Sequence, residues 1–118
     1  MKQFDPKQLG FFTGTTAYHL HAHLVVLTDG AKYVAEHAEA YWLMDAIASY
    51  LPPLVNREHF VVASLAVKNQ SALLWLTDGN YKDIASQRIP YTDFPMPDIT
   101  LFACWSDDCW VLMLPSEY

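Results

Sequence analysis

One stretch of this chain has both the period and the length of a helix: EHAEAYWLMDAIASYL, residues 36–51. Steps of 100° per residue gather Ala40, Leu43, Met44, Ile47, Tyr50 and Leu51 into a single apolar stripe. Glu36 and Glu39 suit the positive N-terminal end of such a helix, and Pro52 with Pro53 stops it. The rest of the chain reads as short apolar runs and turns. One helix among many strands cannot form a bundle, so its stripe must cover a sheet.

Near the start, Asp5, Pro6 and Gly10 predict one short helical turn, with Asp5 as its cap and Pro6 in its first position. Residues 18–27, YHLHAHLVVL, read as a strand because β-branched and aromatic side chains cluster there and histidines alternate with apolar residues. Thr28, Asp29 and Gly30 supply turn chemistry, and 31–35 is expected to return antiparallel as the first hairpin. The near-continuous apolar run FVVASLAV, 60–67, suits a strand buried on both faces. Residues 72–76 run into a second Thr-Asp-Gly turn, and 81–89 pair back. Pro90, Pro95 and Pro97 make the next segment a connection or a protected edge. A final hairpin, 99–105 against 109–114, ends at Pro115 and a short tail. The fold class expected is α+β: a mostly antiparallel sheet of about five to seven strands built from hairpins, with one principal helix packed on it. At 118 residues without a linker, 1–118 is read as a single domain.

The residues LTDG at 27–30, AYWLMDAIA at 40–48, IPYTDFP at 89–95 and LPSEY at 114–118 resemble an uncharacterised family of short bacterial proteins carried on mobile genetic elements. The resemblance implies a mobile-gene cargo protein and supplies no activity, cofactor or catalytic residue.

At 53% apolar and 17% charged, the composition holds more apolar surface than one small core needs, which points to a homo-oligomer. No run reaches the ~20 apolar residues of a membrane span and the N-terminus lacks the pattern of a secretion signal, so a cytoplasmic protein without membrane contact is expected. The net charge of −6, with its seven bases scattered singly, argues against nucleic acid as a partner. In that setting Cys104 and Cys109 read as free thiols, although a two-residue hairpin would place them opposite one another at bonding distance.

Three candidate sites emerge. His19, His21 and His23 at a period of two would share one face of a strand, with Glu36 or His37 as a further metal ligand. Against that, three such positions span ~13 Å, too far for one ion. Neither thiol is activated, since Asp107 and Asp108 beside them raise a thiol pKa. The helix offers the third site. Trp42 falls opposite the apolar stripe, beside Asp45, with Tyr41 on the flank, and a large aromatic on a wet face suggests a binding surface. The expected function is therefore a non-enzymatic binding or adaptor protein using Tyr41, Trp42 and Asp45 and needing no cofactor. The alternative is a metal-dependent hydrolase on His19, His21 and His23.

Overall fold

The fold is described from a computed structural model, which covers residues 3–80 and 82–118. One seven-stranded sheet carries two short helices on one face. The strands are β1 (His19–Ala22), β2 (Val25–Leu27), β3 (Phe60–Lys68), β4 (Ser71–Thr77), β5 (Asp83–Ile89), β6 (Asp98–Trp105) and β7 (Trp110–Met113), and the helices are α1 (Asp29–His37) and α2 (Tyr41–Ala48). The order across the sheet is β1-β2-β7-β6-β3-β4-β5, antiparallel throughout except where β2 lies parallel to β7. The expected α+β class holds. Among the described residues no helix is long and apolar enough to cross a membrane.

The principal helix is two helices. Chain 36–51 is interrupted at Glu39, whose φ of +52° is the left-handed conformation that ends a helix. The predicted stripe survives the break, for Ala40, Leu43, Met44, Ile47 and Leu51 are all buried. The expected first hairpin is overturned at the same end. Residues 31–35 are helical, not a returning strand, because Thr28 is a helix cap: its hydroxyl accepts from the Ala31 N–H at 3.2 Å.

The expected strand 18–27 is itself the hairpin. It folds in half at His23 and Leu24, with Leu24 at φ +60° and Ala22 opposite Val25. The other strands fall where the runs placed them. Asn69 and Gln70, both at positive φ, turn β3 into β4 in the manner of a type I′ hairpin. Asp78 organises the next turn by accepting from the Asn80 and Lys82 N–H groups at 2.7 and 3.2 Å, while Gly79 takes φ +86°. The Pro-rich segment is a connection that crosses the far end of the sheet, tied by the Thr92 N–H to the Gln70 carbonyl at 2.8 Å.

In the last hairpin Trp105 faces Trp110, so Cys104 faces Val111 and Cys109 lies in the turn. The loop is longer than the two residues that would have set the thiols opposite one another, and both are free.

The core forms between the helices and one face of the sheet. Val34, Leu43, Met44 and Ile47 meet Val61, Leu65, Leu74, Leu76, Leu101 and Leu112 in one buried cluster. The 3-10 turn Pro6–Phe11, capped by Asp5 as expected, closes one rim. The residues after Pro115 are less a tail than a clasp. Glu117 accepts from the Thr28 hydroxyl (2.6 Å), the Leu114 N–H (2.9 Å) and the Gly30 N–H (3.0 Å), which ties the end of the described chain to the start of α1.

Candidate functional site

Two of the three helix residues singled out from the sequence do meet. Tyr41 and Asp45 stand one turn apart on α2, and His21 of β1 meets both. Its ring stacks on Tyr41 with centroids 6.0 Å apart, and its Nε2 lies 2.8 Å from Asp45 Oδ1. The His21 side chain is 8% exposed, whereas Asp45 is 69% exposed. This close approach leaves Nε2 buried and without a hydrogen bond. Trp42 is not part of the group. It is half-buried against the chain's own core, while Tyr41 beside it is exposed.

His19 and His21 both turn toward the helices but meet different partners, while His23 lies in the turn beyond β1. His19 faces Asp29, with Nε2 2.8 Å from Oδ1. The Asp29 carboxylate also accepts from the Thr16 N–H and hydroxyl, both at 2.9 Å. His19 first, and the Thr16 groups after it, hold the Asp29 carboxyl well below the usual carboxylate range. His37, the further ligand expected, sits on α1 stacked on Tyr33 at 4.3 Å. Among the described residues no three His, Cys, Asp or Glu side chains converge as a metal-binding group.

Each imidazole–carboxylate pair can hold a proton, but neither presents a nucleophile. The Thr16 hydroxyl is oriented as a donor to Asp29, and burial pushes the Cys104 thiol up, which keeps it protonated.

The larger chemical feature is the face of the sheet turned away from both helices. Strand register builds it row by row. Leu20, Val26, Val111, Cys104 and Phe60 are consecutive cross-strand partners. The next row is Met113, Phe102, Val62, Thr77 and Asp83, and the third is Thr100, Ser64, Trp75 and Ser86. Along these three rows the one charged residue among those described is Asp83, where β5 begins. Elsewhere on this face charge stands at or next to strand ends, at Lys68, Arg88 and Asp98. Phe60 and Phe102 pack edge to face at 5.0 Å and take Tyr118 onto the same surface, 5.3 and 5.6 Å away. Leu20 and Leu73 stand 82% and 45% exposed, and no described helix crosses this face.

The fold also explains why the sequence motifs occur together. LTDG at 27–30 begins α1 and LPSEY supplies the Glu117 that caps it; the second LTDG turns β4 into β5, with Gly79 beside the Phe60 ring. A family model matches residues 4–118, which include all of these motifs. The chain belongs to DUF6876, a family of unknown function. No curated protein and no solved structure matches it.

For this DUF6876 chain, sequence reasoning looked for the binding surface on the helix and missed the open sheet face. The signal was present. FVVASLAV reads as a strand buried on both faces, and ALLWL, ITLFACW and WVLM share that character, whereas a sheet with one wet face alternates. The fold covers one face of these strands and leaves the other bare.

Proposed function

We propose that this chain is a non-enzymatic binding protein that works by docking a protein surface onto the open face of its sheet, and that it functions as a homo-oligomer. The observation that carries the reading is the run of three cross-strand rows whose one charge, Asp83, stands at the β5 edge, floored by Phe60, Phe102 and Trp75. A soluble domain rarely leaves a contiguous apolar patch of this size bare, and such patches mark interaction sites. Aromatic residues with few charges are also the composition of an interface centre. The likeness of the LTDG, AYWLMDAIA, YTDFP and LPSEY motifs to short proteins of bacterial mobile elements supports a cargo protein that acts by engaging another protein.

Paired variants test the reading. Trp75→Glu and Leu73→Glu place a charge on the open face, whereas Tyr41→Ala and Asp45→Ala disturb the helix side. The face variants are expected to abolish association, read as solution mass and as proteins retained from a host lysate. The helix variants are expected to leave both unchanged. The opposite pattern, with far-UV spectra native throughout, would move the binding surface back to α2 and defeat the proposal.

A further inference from the structure

Building on the reading of the open face as a docking surface, we infer that its occupant is a second copy of this chain, stacked face to face about a two-fold axis that runs along the strands between β3 and β4. Three independent features of the face agree on this one operation. The first is charge. The fourth row reads Asp98, Ala66, Leu73, Arg88 across β6, β3, β4 and β5. A two-fold between β3 and β4 exchanges those strands and exchanges β6 with β5. Each Arg88 then lies over Asp98 of the second copy, at both ends of the row. Such a row is self-complementary, as an isologous interface requires.

The second is shape. The same operation sets Leu73 over Ala66 and Trp75 over Ser64, so both large residues of β4 meet small residues of β3. Leu73 projects beside a hollow of about 370 Å³ bounded by Ala66, Lys68, Ser71 and Arg88, which is where the Leu73 of the second copy would enter. A further hollow of about 320 Å³ lies on the other side, between Leu73, Trp75 and Ser86.

The third is extent. Four strands spaced ~4.8 Å apart and four rows ~6.8 Å apart outline roughly 500 Å² in projection. Two copies together therefore cover about 1,000 Å², the lower bound for a biological interface. The sheets would lie ~10 Å apart, as in a β-sandwich, with Val62, Ser64 and Trp75 in its interior and Asp83 at its rim, over Phe102 of the second copy.

Sedimentation of the full chain and three charge variants tests the arrangement, with far-UV spectra as the control for folding. Arg88 and Asp98 are exposed, so their substitution does not threaten the core. The native chain is expected to sediment as a dimer. Arg88→Asp and Asp98→Arg, each of which faces like charges across the interface, are expected to weaken it tenfold or more. The double variant R88D/D98R restores opposite charges and is expected to regain most of the affinity. A native monomer overturns the second copy. So does a dimer that the double variant fails to rescue, since the axis would then lie elsewhere. A native monomer whose Leu73→Glu variant loses a partner retained from lysate defeats this inference and spares the docking face. A native monomer whose Leu73→Glu variant changes nothing removes both.

Discussion

At the scale of single residues, the junction of Thr28, Gly30 and Glu117 decides how the chain starts its helices. Both Thr-Asp-Gly triplets have turn chemistry, yet one begins α1 and the other a hairpin. The residues after each triplet differ: AKYVAEHA propagates a helix, whereas NYKDI does not. The carboxylate that caps the first triplet arrives from 87 residues downstream, a pairing no local reading can supply. Gly30 is required there by space. A Cβ would stand 2.5 Å from Glu117 Oε1 and 2.7 Å from Leu114 Cδ1. Gly30→Ala gains up to about 1 kcal/mol of helix propensity but drives out a carboxylate that accepts three hydrogen bonds, each worth about 1 kcal/mol or more. The expected result is a net loss of roughly 1–3 kcal/mol in urea unfolding, shrinking when Glu117→Ala is already present. An equal or more stable Gly30→Ala chain would show that Glu117 moves aside at no cost. Asp29 adds a pH dependence. Its carboxyl is held below the ordinary range, by His19 first, so the folded chain binds fewer protons than the unfolded chain in acid. This contribution is whole above about pH 4, the ordinary aspartate value, and is lost as pH falls further toward the lowered pKa. Unfolding midpoints for native and Asp29→Asn chains are expected to converge as pH drops from about 5 to 2. Parallel profiles would mean that His19 and Thr16 leave the carboxyl unperturbed.

At the scale of elements, most of the sheet was legible and the breaks were not. β3 to β7 follow their apolar runs because β-branched and aromatic density and turn residues agree there. The two missed breaks lack any such signal. Leu24 turns the β1–β2 hairpin at φ +60°, although a bulky residue is rarely found in that conformation. Glu39 splits the helix inside HAEAY, where every neighbour but one is a fair or good helix former. In both places tertiary packing overrides local preference: the Leu24 carbonyl accepts from Trp110 at 2.7 Å, and the Ala40 N–H donates to the Ala35 carbonyl at 2.9 Å. The candidate site divides in the same way. Tyr41 and Asp45 were found because their spacing is helical, but His21, which joins them, comes from a strand that only the tertiary fold brings beside α2. Strain at Glu39 makes a prediction. A left-handed non-glycine residue costs about 1–2 kcal/mol, and the entropy of an added glycine returns roughly 0.5–1 of that. Glu39→Gly is expected to stabilise the chain by about 0.5–1 kcal/mol, whereas Lys32→Gly within α1 is expected to cost about 1 kcal/mol, both by urea titration. A destabilised Glu39→Gly chain would indicate that the Glu39 side chain contributes more than its backbone costs.

At the scale of the whole molecule, two helices on one side of a seven-stranded sheet leave the layers unbalanced. A sheet with helices on one side normally alternates, apolar inward and polar outward, whereas β3, β4, β6 and β7 carry apolar residues on both sides. The surplus of apolar residues in the composition therefore has a location: it lies on β3, β4, β6 and β7, not around Trp42. If a second copy covers that face, dissociation is linked to unfolding, and stability depends on protein concentration wherever the dimer is populated. Each tenfold rise in concentration should then add about 1.4 kcal/mol per dimer. The native urea midpoint is expected to rise steadily over a roughly hundredfold concentration range, with a single transition seen by both fluorescence and far-UV signal. Leu73→Glu, which sets a charge at the centre of the face without touching the core between sheet and helices, is expected to unfold at a lower midpoint that no longer moves with concentration. The two curves should meet at the lowest concentrations, where the native dimer has dissociated. A native midpoint that stays fixed across the range would show that this sheet carries its apolar face bare.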